Sequence, residues 1–260
     1  MRIVSAVVLA PLVLVCIWLG GVPFQVLITV AAAGMAVEWA ALSGWRVRDP
    51  PALVLIGTIV AAVVAAGEDS GLLGLAILLM GGLALIGLGI PGRRFRLVVG
   101  LGYIGLGAMA LGWVRGDPEA GWPNLLFLLL LVWASDIGAY TVGRALGGPR
   151  LAPRISPKKT WSGAVGGLLI AVGVGMVAAF VMQPPTSVLR IVVLTAGLGI
   201  VAQAGDLFES AFKRHMGAKD SGHLIPGHGG LLDRLDALLA VAPFAALLVL
   251  ASGRGVVLWE

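Results

Sequence analysis

Of the chain's 260 residues, 59% are hydrophobic and only 12% are charged, about half the charged fraction of a soluble domain. Disorder, collagen-like repeats, coiled coils and soluble basic nucleic-acid modules are excluded, since each needs polar or charged composition. The net charge of +5 sits in short gaps between apolar runs, a pattern of membrane topology and of anionic ligands that implies no nucleic-acid partner.

A helix crossing the hydrocarbon core needs about 20 mostly apolar residues. Nine such runs occur, over 3–19, 23–42, 51–67, 71–90, 97–114, 123–145, 162–183, 187–209 and 234–252. The expected fold is an all-α, polytopic membrane bundle of about nine spans, with eight to ten as the range. Met1-Arg2 and the run after them read as a retained first span, because a second membrane segment follows at once. The least defined boundary lies in 51–90, where only Gly67-Glu68-Asp69-Ser70 separates two runs.

Walking the loops places Arg46, Arg48, Arg93, Arg94, Arg96, Arg144, Arg150, Arg154, Lys158, Lys159, Lys213, Arg214, Lys219, Arg234 and Arg2 on one side. Arg115, Arg190 and Arg254 fall on the other. The positive-inside rule makes the first side cytoplasmic, with the N-terminus inside. The chain divides into N-terminal spans, 1–122, and a C-terminal region, 123–260, with cytoplasmic loops at 144–162 and 210–234. Nine spans leave no room for a soluble domain, so any active site is built from helix ends and loops. The single cysteine, Cys16, lies in an apolar run and reads as inert packing. Gly87 to Gly92 spells GxGxxG, but no strand precedes it, so it is not a dinucleotide site.

Ionisable residues within spans are costly and functional by default. Glu38 falls in the second run, Asp136 in the sixth, Asp206 and Glu209 near the end of the eighth, and Asp233 and Asp236 at the start of the ninth. Glu38 taken alone reads as an interhelical contact. Gln203, Asp206, Ser210 and Lys213 recur every three or four residues, as do Asp136, Tyr140 and Arg144, so each set shares a helix face. Residues 144–162 gather Arg144, Arg150, Arg154, Ser156, Lys158, Lys159 and Thr160. That cluster reads equally as a phosphate cradle and as a topogenic loop facing anionic headgroups.

The stretch from Gln203 to Asp236 has acids at its ends, bases between them and a Gly/Pro-rich middle. Carboxylates suit a hard cation such as Mg²⁺, Lys and Arg neutralise phosphates, and glycines let backbone N–H groups approach them. This is the composition of a metal-assisted phosphoryl or nucleotidyl transfer site. His215, His223 and His228 have no cysteine or HExxH spacing near them, which argues against zinc.

The same stretch resembles the integral-membrane phosphatidate cytidylyltransferases. Their signature, S-x-apolar-K-R-x4-K-D-x-small-x2-apolar-P-x-H-G-G-apolar-x-D-R-apolar-D, is matched at every fixed position from Ser210 to Asp236. Ser135-Asp-Ile-Gly-Ala-Tyr140 and Ser156-Pro-Lys-Lys-Thr-Trp-Ser-Gly163 also resemble family segments, except that Ser162 stands where Glu is expected. The resemblance covers roughly 130–236; the N-terminal half matches only as generic spans.

It implies transfer of a cytidylyl group from CTP to phosphatidate, giving CDP-diacylglycerol and pyrophosphate, with Mg²⁺ as cofactor. By the same resemblance Asp206 and Asp233 are the metal ligands, and Asp136 and Asp236 are ligands or orienting groups. Lys158, Lys159, Lys213, Arg214, Lys219 and Arg234 serve the two substrates' phosphates. Thr160 joins the substrate-binding group, Ser210, Gly229 and Gly230 shape the loop, and His228 donates to phosphate. The setting implied is a bacterial inner or plasma membrane with the site facing the cytoplasm, and Gly-rich spans allow a homodimer. Rival readings are a CTP-dependent transferase or kinase acting on a polyprenol or ether lipid, a transporter, and a lipid-binding scaffold. A transporter would carry matching polar sets in both halves, and a scaffold would not need acids among its bases.

Overall fold

The computed structural model describes residues 2–67, 70–88, 92–184, 186–224, 229–253 and 255–260, with side chains from residue 11 onward. Among the described residues lie nine helices: α1 Arg2–Leu19, α2 Gly21–Leu42, α3 Pro50–Gly67, α4 Gly71–Leu88, α5 Arg94–Arg115, α6 Gly121–Leu146, α7 Trp161–Met182, α8 Val188–His215 and α9 Leu232–Ser252. Two short strands, β1 Arg150–Ala152 and β2 Ser156–Thr160, lie between α6 and α7. Eight helices, α2 to α9, are long and apolar enough to cross a bilayer, and α1 is a ninth apolar helix.

Lipid offers the backbone no hydrogen-bond partners, so long apolar runs close their own helical ladders. Pro11 and Pro243 sit inside helices all the same, where each removes one donor from the ladder. Leu72, Leu79 and Val181 are each more than two-thirds exposed, as lipid-facing side chains should be. The protein is an integral membrane protein.

Each helix occupies one expected run, and α8 continues past 209 to His215. At 28 residues and a rise of about 1.5 Å per residue it is about 42 Å long, so its last turns outreach the hydrocarbon and carry the polar residues from Asp206 onward. The 51–90 region resolves into α3 and α4.

The 144–162 segment, expected to be a cytoplasmic loop, contains a hairpin. β1 and β2 pair antiparallel with Arg150 opposite Thr160 and Ala152 opposite Ser156. Ile155 N donates to Ala152 O at 3.1 Å to close the turn, and Trp161 N donates to Pro149 O at 3.1 Å. Strands of three and five residues are too short to leave a period-two pattern in a basic stretch.

The chain forms two compact units. The first comprises Met1–Gly116 and His215–Leu235, the second Asp117–Arg214 and Asp236–Glu260. Residues 215–235 thus group with the N-terminal helices.

In the first unit α2 packs on α3 and α5, α3 on α4 and α5, and α4 on α5. Trp39 Nε1 donates to Arg96 O at 2.8 Å where Gly100 leaves room for its ring. Arg115 donates from Nε to Ile17 O at 2.5 Å and from Nη2 to Trp18 O at 2.9 Å, which satisfies carbonyls at the C-terminal end of α1.

In the second unit α6 and α7 pack backbone to backbone. A Cβ added at Gly167 would stand 2.6 Å from Ser135 O, and one at Gly163 would stand 2.7 Å from Ala139 O. Small residues permit this approach, which supplies dispersion contact where no hydrophobic drive operates. Thr160 caps α7, accepting from Gly163 N at 3.1 Å. At the other end Asp117 accepts from Ala120 N at 2.8 Å and Gly255 N at 2.7 Å. Leu258 N donates to Asn124 Oδ1 at 2.8 Å, and the Trp259 ring lies 4.8 Å from that of Phe127.

Candidate active site

The α6–α7 contact fixes where the second unit's polar groups meet. Asp136, Tyr140 and Arg144 project from one face of α6, the hairpin delivers Arg150, Lys158 and Lys159, and α8 contributes Gln203 and Asp206. All of these line one cavity of about 750 Å³. Its cations, Arg144, Arg150, Lys158 and Lys159, outnumber its acids, Asp136 and Asp206. A polyanion is the complementary ligand.

Internal bonds hold the walls. Lys159 Nζ donates to Asp206 Oδ2, and both side chains are 30% exposed, so the pair faces the cavity and water. Ser210 Oγ lies 3.5 Å from Asp206 Oδ1. Gln203 Nε2 donates to Ser135 Oγ at 3.3 Å and to Ala164 O at 3.0 Å, tying α8 to α6 and α7. Arg144 Nη1 donates to the Tyr140 hydroxyl at 3.0 Å, and Arg214 Nε donates to Ile155 O at 3.1 Å, anchoring the hairpin turn to the end of α8. Lys213 pairs with the buried Glu209 at 2.6 Å. Asp206 is close enough to Asp136 and to Asp236 for their charges to interact, with Lys159 and Lys213 opposing.

Ser162, the departure from the family segment, also has a place. Its hydroxyl donates to Gly147 O and lies 3.0 Å from Thr160 Oγ1. It thereby joins the end of α6 to the cap of α7.

The first unit contains the glycine-rich part of the signature. There Asp233 accepts from Ser221 N at 3.0 Å and from Gly230 N at 3.1 Å. Glu38, only 3% exposed, reaches from α2 and accepts from Ser221 Oγ at 3.2 Å, Leu231 N at 3.0 Å and Leu232 N at 2.9 Å. Gly230 is required here, since an added Cβ would overlap Ser221 Oγ and stand 2.9 Å from Glu38 Oε2. Gly229 has φ +82°, the left-handed conformation glycine tolerates. The Gly230 N–H is thus given to Asp233, not left open to a phosphate. Lys219 and Arg234 are exposed in this unit, and His228 lies outside the described residues.

The structure therefore brings Asp136, Lys158, Lys159, Thr160, Ser210 and Asp206 together in the second unit, and Gly229, Gly230 and Asp233 in the first. Among the described residues no three His, Cys, Asp or Glu side chains converge as a metal cage. Two carboxylates lining one cationic cavity still fit Mg²⁺, which keeps water or substrate phosphate in most of its coordination positions.

The chain matches the cytidylyltransferase family over residues 1–252. It belongs to that family. It is 42% identical to a phosphatidate cytidylyltransferase of Brucella suis biovar 1 (strain 1330) over 244 residues, covering 93% of this chain and 89% of the relative. It is 32% identical to a phosphatidate cytidylyltransferase of Bacillus subtilis (strain 168) over 254 residues, covering 94% of each. A third, from Haemophilus influenzae (strain ATCC 51907 / DSM 11121 / KW20 / Rd), is 44% identical over 136 residues, 49% of this chain. The family relation thus extends through the N-terminal helices, which in sequence read only as generic spans.

Glu38, expected to be an interhelical contact, reaches the start of α9, but the sequence does not show which segment it meets. One acid in a long apolar run has the pattern of an isolated helix contact, and its partners lie 183 to 194 residues away. The signal available was that Gly229-Gly230-Leu231-Leu232, which leads into α9, carries no side-chain acceptor for the helix's first N–H groups.

Proposed function

We propose that this protein transfers a cytidylyl group from CTP to phosphatidate at the second unit's cationic cavity, releasing pyrophosphate and leaving CDP-diacylglycerol in the bilayer. The observation that carries the reading is the meeting of Arg144, Arg150, Lys158 and Lys159 with Asp136 and Asp206 in one cavity of a membrane-embedded cytidylyltransferase. A phosphatidate oxygen attacks the α-phosphorus of CTP. One P–O bond forms to the lipid phosphate, and the bond to the β-phosphate breaks. The lipid phosphate is already anionic at neutral pH, so the nucleophile needs no general base.

Little covalent work falls to the protein, and positioning with charge neutralisation dominates. Lys158, Lys159, Arg144 and Arg150 serve the triphosphate, whose arrival gives Lys159 a second anionic partner besides Asp206. Arg214 holds the hairpin in place through Ile155, and Lys213 balances Glu209. Mg²⁺, when bound, supplies charge neutralisation on the phosphates. Asp206 is its proposed ligand in the second unit, with Asp136 and Asp236 as neighbouring carboxylates. Asp233, which the resemblance also nominates as a ligand, belongs to the first unit. The active site faces the cytoplasm, where the basic loops point by charge and where CTP is made.

The test is purified protein with labelled CTP and phosphatidate, with and without Mg²⁺. Formation of labelled CDP-lipid that requires Mg²⁺ is expected. No CDP-lipid from phosphatidate, with product from a polyprenol or ether-lipid phosphate instead, would replace this reading.

A further inference from the structure

The signature's glycine-rich turn has an odd construction. Gly230 and Leu231 lead into α9 and Leu232 begins it, and the N–H groups at any helix start must find acceptors. A local Ser, Thr or Asp at the cap position is the ordinary solution, yet Gly229-Gly230-Leu231-Leu232 has no side-chain acceptor. Two carboxylates share the work. Asp233 turns back to Gly230 N, while Glu38 crosses from α2 to Leu231 N and Leu232 N. Both also hold Ser221, Asp233 through its backbone N–H and Glu38 through its hydroxyl.

Ser221 is therefore a bridge between a buried acid on α2 and an acid of the signature. Its burial and that of Glu38 keep water from replacing either bond cheaply. The steric record agrees. An added Cβ would stand 2.6 Å from Glu38 Oε1 at Gly222 and 2.9 Å from Glu38 Oε2 at Gly230, so two small positions of the motif are cut to fit this side chain.

We propose that Glu38 is a positioning residue for cytidylyl transfer: from α2 it locks Ser221-Gly222 against Gly230–Leu232 and so sets the aim of Asp233. The proposal rests on the phosphatidate cytidylyltransferase reading. Glu38 touches no substrate. It acts through Ser221 and the α9 N-terminus.

Glu38→Gln is the informative change, because it keeps shape and places an amide N–H₂ against backbone N–H donors. Losing one charged hydrogen bond of this kind corresponds to about a tenfold to hundredfold fall in kcat. KM for CTP stays within about threefold, since Glu38 is given to Ser221, Leu231 and Leu232 and not to the triphosphate cations Lys158 and Lys159. Amide hydrogen exchange over 229–235 should accelerate while α2, α3 and α5 keep wild-type protection. Ser221→Ala, a smaller change, should lower kcat about fivefold to tenfold with the same local exchange pattern.

Wild-type kcat in Glu38→Gln overturns the proposal, as does a uniform rise in exchange across the first unit combined with wild-type kcat in Ser221→Ala. If the wild type makes no CDP-lipid from CTP and phosphatidate, the functional reading fails. Unchanged exchange over 229–235 in Glu38→Gln would then separately refute the lock.

Discussion

The two units satisfy their acids in opposite ways. In the second unit Asp206 meets the ammonium of Lys159 at a cavity wall, both groups partly exposed. In the first unit Glu38 is buried and is satisfied by two backbone N–H groups and a hydroxyl. A charge paired with a mobile, solvated charge is ready to change partners when a polyanion arrives, at small cost in water. A charge paired with backbone amides fixes a chain path and has nothing to exchange. The first arrangement suits chemistry, and the second suits holding the shape of the motif.

The sharpest way to break this comparison is Asp206→Asn. If Asp206 works at the reacting phosphates, kcat should fall by about 10³ or more while the fold persists. Initial rates across a Mg²⁺ series, with thermal melting as the control for folding, check it. Rates within tenfold of wild type would reduce Asp206 to a partner for Lys159.

Gly230→Ala comes next and probes the other arrangement. The new methyl collides with Ser221 Oγ and presses on Glu38 and on the backbone N of Gly222, so the motif must open. Overpacking of this sort costs about 1–3 kcal/mol, and we expect a lower melting temperature together with about a hundredfold loss of rate. Gly229→Ala, where an added Cβ meets its nearest atom at 3.5 Å, isolates the positive-φ strain alone, worth about 1 kcal/mol. Equal effects at the two positions would mean that backbone conformation, and not the Glu38 cradle, explains both glycines.

Lys159→Ala tests whether the exposed pair is exchangeable. Loss of one phosphate contact should raise KM for CTP about tenfold, with a smaller change in kcat. Lys159→Arg should recover part of the loss, because charge is retained while the point-like ammonium is not. A salt titration sharpens the result. The wild-type KM should rise with ionic strength, since the cavity's cations are partly exposed and screened, and the variant should show a shallower dependence.

Much of this was legible in the sequence, for identifiable reasons. Spans are written in long apolar runs that only a helix can bury in lipid, so the nine runs and the nine helices coincide. The α8 face was legible because Gln203, Asp206, Ser210 and Lys213 repeat at helical spacing, and the structure has Gln203 and Asp206 lining one cavity with Ser210 bonded to Asp206. The hairpin was not, because pairing register is a non-local property of two very short strands. Nor was Glu38, whose role depends on a fold that returns residue 221 and residues 231–232 to α2. The glycines were read as room for phosphate, whereas at Gly230 the room is taken by Ser221 and Glu38.

Ser162 gives the smallest effect and separates a structural departure from a chemical one. Where a carboxylate was expected, the hydroxyl bonds Gly147 O and contacts Thr160, and Thr160 caps α7. Ser162 therefore supports the frame that carries Lys158 and Lys159, and it needs no charge to do so. Ser162→Ala removes one partly buried neutral hydrogen bond, worth about 1 kcal/mol, while Thr160 keeps its own bond to Gly163 N. Melting should shift by a few degrees, and kcat/KM for CTP should stay within about threefold. A hundredfold loss of rate at unchanged melting would instead put the Ser162 hydroxyl among the groups that meet substrate, and would extend the exchangeable arrangement of the second unit from its charges to its hydroxyls.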